Sequence, residues 1–245
     1  MKELTSINNE LVKEITKLKE KKYRELQGLF LVEGYHLVDM AKDYLKIVFV
    51  RNKKDYGKIP NVTYYLVNDE IIKKISQTQS SQGIIGVCHK MQEKPLSSSN
   101  IFILDNLQDP GNVGTIIRSA LAFGYKDIIL GNDSVDIYND KVIRSSQGAV
   151  FNVNILYREL VEEIKQLKNA GYRIYGTALS NAKSLSKMTF SDKNAIILGN
   201  EGNGVKEELL ECADENIFID ITKEIDSLNV GVAGSIIMYE ISKNK

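Results

Sequence analysis

Three short stretches of the 245-residue chain hold the residues best suited to chemistry. The first, residues 105–124, reads DNLQDPGNVGTIIRSALAFG. In it Val113, Ile116, Ile117, Ala120 and Leu121 recur at helical spacing and predict the buried stripe of a helix. Asn112 stands where an N-cap belongs, and Gly124 where a helix-ending glycine belongs. Arg118 falls off the stripe, which leaves its guanidinium for a cleft, a partner or water. The second stretch, GNEGNGV at residues 199–205, has Gly199, Gly202 and Gly204, which let a ligand approach the backbone closely. Glu201 lies between them, where it packs against little that is structural. In the third, IDSLNVGVAGSIIMYE at residues 225–240, Ser227 or Asn229 can cap a helix. The first turns of that helix carry Gly231, Ala233 and Gly234, small enough for another backbone, a ligand or a second subunit to come close. Taken singly, each feature also has a purely structural reading: a cap, a surface charge, a tight turn, a closely packed last helix.

Other chemistries lack their residues. The histidines are His36 and His89 and the cysteines Cys88 and Cys212. Only Cys88 and His89 are near in sequence, and adjacent residues of a strand point to opposite faces, so no metal-ligand spacing exists. Neither histidine accompanies a nucleophile motif. A G-x-G-x-x-G turn opening a βαβ unit and a G-K-[ST] phosphate loop are both absent, which disfavours dehydrogenases and NTPases.

The elements that must position these loops follow from the apolar runs. Residues 101–104, 128–130, 173–178 and 195–198 are near-continuous apolar runs, as expected of strands buried on both faces of a parallel sheet. Helical stretches at 113–123, 157–169 and 229–242 separate or follow them, so a wound α/β domain is expected. In such sheets ligands bind beyond the carboxyl ends of the strands, where the first two loops fall. Earlier in the chain, residues 29–32, 47–50, 62–67 and 84–87 read as strands, with helical spacing at 35–44 and 69–75. The Pro- and Ser-rich, aperiodic residues 91–100 read as a linker. The expected organisation is a small α/β domain at 1–95 and a parallel-sheet domain at 96–245.

Composition agrees with a globular α/β protein: 43% hydrophobic and 26% charged residues. The formal charge is +0, but residues 1–95 carry 17 Lys and Arg against 12 Asp and Glu, a net +5, and the rest carries −5. Six of the basic residues lie between Lys13 and Arg24, a cluster that reads as a phosphate-contacting patch or as a solvated helix face. Few cysteines, no signal-peptide core and no apolar run of membrane-spanning length lead to the expectation of a soluble cytoplasmic protein without a membrane partner.

Together, in this order and spacing, the three segments resemble the signature motifs of the SpoU (TrmH-type) family of S-adenosylmethionine (SAM)-dependent RNA ribose methyltransferases, within the SPOUT superfamily. Asn112, Gly114, Arg118 and Ala120 match N-x-G-x-x-x-R-x-A. Gly199, Asn200, Glu201 and Gly204 match G-N-E-x-x-G. Ser227, Leu228, Asn229, Val230, Val232 and Ala233 match S-L-N-V-x-V-A. The stretch KKYRELQGLFLVEGYHLV, with Arg24, Phe30, Glu33 and Gly34, resembles the accessory substrate-binding domain of the family.

This resemblance implies a carboxy-terminal SPOUT domain with a deep trefoil knot, preceded by the small substrate-binding domain. It implies SAM as cofactor, held at Gly199, Asn200, Ile219 and Leu228 with Thr177 and Ala178 as a further wall. The implied catalytic set is Arg118, Asn112, Glu201, Asn229 and Ser227, with no metal. Arg118 would meet the RNA phosphate and either assist removal of the 2′-OH proton or only position the phosphate and stabilise the alkoxide. RNA would be gripped by Lys21, Lys22, Arg24 and Glu33, with Tyr23, Phe30, Tyr35 or His36 available for stacking and core packing the alternative for Phe30. The implied partners are RNA, ribosomal in preference to transfer RNA, and a second copy in a homodimer. Three alternatives stay open: a transfer-RNA methyltransferase, a base-methylating relative, and a non-catalytic RNA-binding protein that keeps the pocket. Two residues depart from the family pattern: Gly231, where serine is frequent, and Asp220, which brings a charge towards the expected adenine pocket.

Overall fold

The computed structural model describes residues 1–200 and 202–243. The chain divides into two compact units, one formed by Met1–Gln92 with Tyr138–Phe151, the other by residues 93–137 with the chain from Asn152 onward.

The first unit starts with β1 (Lys2–Leu4), α1 (Glu10–Lys17) and α2 (Lys21–Gln27). β2 (Leu29–Glu33), α3 (Tyr35–Met40), β3 (Leu45–Val50), β4 (Thr63–Val67), α4 (Asp69–Ile75) and β5 (Ile84–His89) follow. Among the described residues the strands form a sheet in the order β1-β4-β3-β5-β2. β3 and β4 run parallel, whereas β5 is antiparallel to both β3 and β2. Asn9 and Asn68 cap α1 and α4 by accepting from the N–H of Leu11 and Ile71. Those caps aim Val12 and Ile15 of α1 and Ile71, Ile72 and Ile75 of α4 at Leu31, Phe49 and Val87 of the sheet. Each such aliphatic side chain contributes about 1.5–3 kcal/mol on burial.

α6 (Asp140–Ser145) also belongs to this unit although residues 93–137, which precede it in the chain, do not. Within the unit Phe30 packs against Tyr138 with the rings tilted by 42° and their centres 4.7 Å apart, and stacks on Phe151 at 6.3 Å.

The second unit holds β6 (Asn100–Leu104), α5 (Pro110–Ala122), β7 (Asp127–Gly131), β8 (Asn154–Arg158), α7 (Leu160–Asn169) and β9 (Arg173–Thr177). β10 (Lys183–Ser184), β11 (Asn194–Leu198), α8 (Glu207–Cys212), β12 (Glu215–Phe218) and α9 (Val230–Ser242) complete it. Among the described residues seven strands pair in the order β10-β12-β9-β11-β6-β7-β8, and every pairing is parallel. β6, β7 and β11 are buried along their whole length, as their unbroken apolar runs require. Ile101, Ile103, Ile129 and Ile197 pack beneath Ile164 and Leu167 of α7 and Leu209 of α8.

Three details differ from the sequence expectation. Residues 154–158 are strand β8, paired with β7, so α7 begins at Leu160 and not at 157. Asp109, not Asn112, caps α5: its side chain accepts from the N–H of Asn112, and Pro110 takes the first helical turn. The end of the linker is stapled, because the N–H groups of Ser97 and Ser98 donate to the buried Asp127 carboxylate at 3.0 and 2.7 Å.

Candidate active site

β12, β9, β11 and β6 are neighbours and parallel, so the loops that leave their carboxyl ends gather along one edge of the sheet. Four of the sequence-expected residues, Thr177, Ala178, Gly199 and Ile219, stand at these ends. Gly199 follows β11 with no room for a side chain: a Cβ there would lie 2.1 Å from the carbonyl carbon of Gly204 and from the nitrogen of Val205. The close approach comes from a miniature hairpin in which Asn200 and Gly204 exchange backbone hydrogen bonds of 3.0 and 2.9 Å. The Asn200 side chain holds the hairpin from both sides. Its Oδ1 accepts from the Gly202 N–H at 2.9 Å, and its Nδ2 donates to the Asn106 carbonyl at 2.9 Å. Asn106 itself has φ 52°, a conformation rare outside glycine and best tolerated by Asn. Below it the buried Asp105 accepts from the Lys206 N–H at 2.9 Å. Glu201 lies outside the described residues.

The other wall of this edge is equally fixed. Thr177 Oγ1 donates to the Ile197 carbonyl at 2.9 Å, and the Ala178 N–H donates to the Ile217 carbonyl at 3.1 Å. Ile219 and Leu228 are half-buried. Asp220 does not stand there as a loose charge: the Ser184 hydroxyl donates to its Oδ2, and the Ser186 hydroxyl does so at 3.2 Å.

The remaining expected residues lie where α5 packs on α9. Asn229 caps α9, its Oδ1 accepting from Gly231 N–H at 2.9 Å and Val232 N–H at 3.3 Å. With its Nδ2 it donates to Oδ1 of Asn112 at 2.9 Å, which joins the first and third sequence segments. Asn112, Thr115 and Arg118 follow one another at i, i+3 along α5, and the last two are exposed. The two helices approach closely through glycine. A Cβ on Gly231 would sit 3.2 Å from Thr115 Cγ2, and one on Gly234 3.4 Å from Ile116 Cγ1 and only 2.8 Å from Leu198 Cδ1 of β11. Ser119 and Ser235 share a 2.7 Å hydroxyl–hydroxyl bond across the same seam. Tyr125 closes it by donating its hydroxyl to the Met238 carbonyl at 2.9 Å. The small residues of α9 are therefore used for packing within the chain. Ser227 is exposed just ahead of the cap.

Asn106, Asp105, Asp109 and the Ser184–Ser186 pair were not singled out from sequence. Asp-Pro at 109–110 is a readable helix start, whereas the other three owe their place to pairing between distant strands.

In the first unit the four expected RNA-contacting residues separate. Lys21 and Lys22 are exposed; Lys21 stands 3.8 Å from Glu25, and the Lys22 amine lies 5.9 Å from the centre of the Tyr23 ring. Arg24 departs from the expectation. It is 4% exposed, and its Nη1 donates to the carbonyls of Leu18 and Lys19 at 3.0 and 2.8 Å. Its guanidinium thus satisfies the carbonyls that end α1 and is withdrawn from a phosphate partner. Glu33 accepts from the hydroxyls of Ser76 and Thr78 at 2.7 and 2.9 Å and from the Gln77 N–H at 3.0 Å. Burial alone would raise the pKa of Glu33, but these donors together with Ser81 outweigh it and hold the carboxyl below its ordinary range. Phe30 is wholly buried, so it packs and does not stack on RNA. Tyr35 donates its hydroxyl to Asp55 at 2.7 Å, and His36 Nε2 lies 3.1 Å from the Gln147 carbonyl.

Among the described residues no group of three or more His, Cys, Asp or Glu could hold a metal ion, and no helix is long and apolar enough to cross a membrane. Residues 99–239 match the SpoU rRNA Methylase family, and residues 9–86 match the MRM3-like substrate binding domain. The chain is similar to the 23S rRNA (guanosine(2553)-2'-O)-methyltransferase RlmP of Bacillus subtilis (strain 168), 37% identical over 246 residues and covering 98% of this chain and 99% of that one. Its structure is similar to that of the AdoMet-bound rRNA methyltransferase from Sinorhizobium meliloti, with a TM-score of 0.90, 28% identity, and 99% and 98% of the two chains covered. A crystal structure of an RNA 2'-O ribose methyltransferase is also similar, with a TM-score of 0.83, 27% identity and 98% of each chain covered. With its motifs brought together in the second unit and a family match over more than half its length, the chain belongs to the SpoU rRNA methylase family.

Proposed function

We propose that this SpoU-family methyltransferase carries a methyl group from SAM to a ribose 2′-OH of 23S ribosomal RNA. The observation that carries this is the union of the three motifs: the Asn229–Asn112 bond joins two of them, and the third turns tightly at Gly199 on the adjoining strand end. The whole-length similarity to a 23S ribosomal RNA enzyme supports the choice of substrate.

The residues present fit SAM. Gly199 lets the turn closed by Asn200 and Gly204 fold tightly onto the end of β11, and the half-buried Ile219 and Leu228 supply apolar surface of the kind an adenosine needs. In this proposal Gly199, Asn200, Thr177, Ala178, Ile219 and Leu228 hold the cofactor. When bound, SAM supplies a sulfonium methyl that is already a strong electrophile.

The task left to the protein is to orient a weakly acidic hydroxyl and stabilise the charge that develops on its oxygen. Arg118 is exposed on α5, and a guanidinium offers a planar fork of donors and no acceptor, which suits it to hold the RNA phosphate and steady the alkoxide better than to take up a proton. Asn112 and Asn229, locked to each other, fix the helix that presents Arg118. Glu201 and Ser227 complete the proposed catalytic set. Residues 1–95 are proposed as the RNA-binding domain, with Lys21 and Lys22 on phosphates, and 96–245 as the catalytic domain with the trefoil knot. The protein is further proposed to work as a homodimer through the exposed Val232, Ile236 and Tyr239 of α9, in the cytoplasm where ribosomal RNA is its substrate.

The test is transfer of label from radioactive SAM to unmodified 23S ribosomal RNA and to transfer RNA, followed by nuclease digestion and nucleoside mass analysis. A 2′-O-methylated nucleoside from the ribosomal RNA is expected. Label confined to transfer RNA would overturn the substrate, a methylated base would overturn the ribose, and SAM binding without any transfer would overturn catalysis.

A further inference from the structure

The end of β6 reaches both feet of the turn that follows β11. Asp105, the first residue past β6, donates its N–H at 2.9 Å to the carbonyl of Leu198, the last residue of β11. At the far foot its carboxylate, 2% exposed, accepts from the Lys206 N–H at 2.9 Å. The charge that Asp105 brings inside is faced by the Lys206 amine, 4.0 Å from Oδ1. Between the feet the Asn106 carbonyl accepts from Nδ2 of Asn200 at 2.9 Å. Two consecutive residues at one strand end thus grip a turn whose residues lie 94 and 101 positions away in the chain.

The bond to Asn200 uses the main chain of Asn106, so it depends on where that backbone points. Asn106 has φ 52°, in the left-handed region that asparagine tolerates, glycine enters freely and a β-branched residue resists. A residue held in that region is a small store of strain, and such residues gather at ligand clamps. The turn itself has Gly199, Gly202 and Gly204, so an open form has much backbone freedom to lose on closing. The two backbone bonds between Asn200 and Gly204 offset part of that loss from within the turn, and Asp105 and Asn106 add to them from outside it.

We propose that Asp105 and Asn106 are positioning residues for methyl transfer: they hold the turn closed by Asn200 and Gly204 in the shape that receives SAM before SAM arrives. They act through Asn200 and Lys206 and not on the reacting atoms. Asn106 also stands three positions ahead of Asp109, the cap of α5, so one short link ties the cofactor turn to the helix that presents Arg118. The proposal rests on this turn being part of the SAM site, as argued above.

A turn that is closed for only part of the time weakens the apparent SAM affinity by the closed fraction, while bound SAM restores the closed shape. Loss of the clamp therefore raises the KM for SAM and spares kcat at saturating SAM. A loss of overall stability does the opposite, lowering the amount of active enzyme without moving KM.

The test uses the full-length enzyme and two readouts: methyl transfer to unmodified 23S ribosomal RNA as SAM is varied, and amide hydrogen exchange at Asn200 and Gly204 in the SAM-free protein. Asn106→Val forces the carbonyl away from Asn200, and Asp105→Ala removes the acceptor at the Lys206 foot. Each is expected to raise the KM for SAM about tenfold, to leave kcat within about twofold of the parent, and to speed exchange of the two amides about tenfold. Asn106→Gly adopts the same backbone with no side chain and is expected to match the parent in both readouts. Should Asp105→Ala fail to fold, the contrast between valine and glycine at the half-buried position 106 decides. Parent-like exchange and KM in Asn106→Val would overturn the clamp, and so would a fall in kcat with KM unmoved. Faster exchange with KM unmoved would instead show that Asn106 closes the turn but that the turn lies outside the cofactor site, which overturns the reading beneath the proposal.

Discussion

Asn229 does two things at once: its Oδ1 caps α9 through the N–H groups of Gly231 and Val232, and its Nδ2 donates to Asn112 Oδ1 at 2.9 Å. The cap concerns stability and the bridge concerns the site, so substitutions can separate them. Asn229→Ala loses both, and is expected to cost about 1 kcal/mol of stability with a large fall in methyl transfer. Asn229→Ser restores a capping oxygen without the amide donor. Its urea midpoint should return towards the parent while single-turnover transfer stays low. Recovery of transfer in the serine variant would show that the cap alone matters.

Arg118→Ala offers a second separation. The side chain is exposed on α5, its removal leaves no buried partner stranded, and its neighbours on the helix keep their own bonds. Melting temperature and SAM affinity should match the parent, and transfer to RNA should fall below detection. Retained turnover would remove Arg118 from the catalytic set.

Gly199→Ala tests the tight turn. A Cβ would fall 2.1 Å from the backbone of Gly204 and Val205, and backbone cannot step aside as a flexible side chain can. The hairpin closed by Asn200 and Gly204 must open, so SAM affinity should be lost even where the fold survives. Isothermal titration with SAM, with circular dichroism as the check on folding, measures both. Parent-like affinity would mean that the turn is not part of the cofactor site.

The parallel sheet was legible because β6, β7 and β11 are buried on both faces and their apolar runs are unbroken. The Asn229 cap and the helix-ending Gly124, at φ 80°, were legible from local chemistry alone. β8 was missed because Tyr157 and Leu160 fit helical spacing, and only its pairing with β7 decides for a strand. Arg24 was misread for a similar reason. A basic run looks the same in sequence whether its members face water or, like this guanidinium, turn inward to carbonyls that end a helix. The taming of Asp220 by Ser184 and Ser186 depends on β10 lying beside β12, which no local pattern reveals.

Acid should act through the carboxylates that the fold holds low, Asp127 and Glu33 among them. Burial would raise the pKa of Asp127, but the N–H groups of Ser97 and Ser98 and the Asn154 amide overcome it and hold the group below its ordinary value. Glu33 is lowered likewise by its hydroxyl and N–H donors. A depressed carboxyl stabilises the fold fully above its unfolded-state pKa of about 4, and that contribution disappears as pH falls through the lower folded-state value. Urea midpoints should therefore be level from about pH 8 to about pH 5 and fall below about pH 4. Asp127→Asn should be less stable than the parent at neutral pH and less sensitive to acid. A midpoint that already falls between neutrality and pH 6 would contradict the assignment to these groups.

The exposed face of α9 makes the last prediction. Val232, Ile236 and Tyr239 follow one another at i, i+4, i+7 and are 45%, 36% and 51% exposed, and Leu121 of α5 is 37% exposed. The Tyr239 ring lies 5.8 Å from that of Phe123, which extends the same apolar surface. Because these side chains are already about half covered or more within the chain, burying the rest against a second copy would contribute about 1 kcal/mol apiece, doubled by the symmetry of a dimer. Ile236→Asp and Tyr239→Asp each place a charge in the middle of that face while leaving the buried Gly234, Ile237 and Met238 side untouched. Sedimentation should show a dimer for the parent and a monomer for either variant, with helical content unchanged. Methyl transfer should be lost with the dimer, because the face to be covered lies on α9, the helix that Asn229 caps. A parent that sediments as a monomer would overturn the dimer, and a monomeric variant with full activity would free catalysis from it.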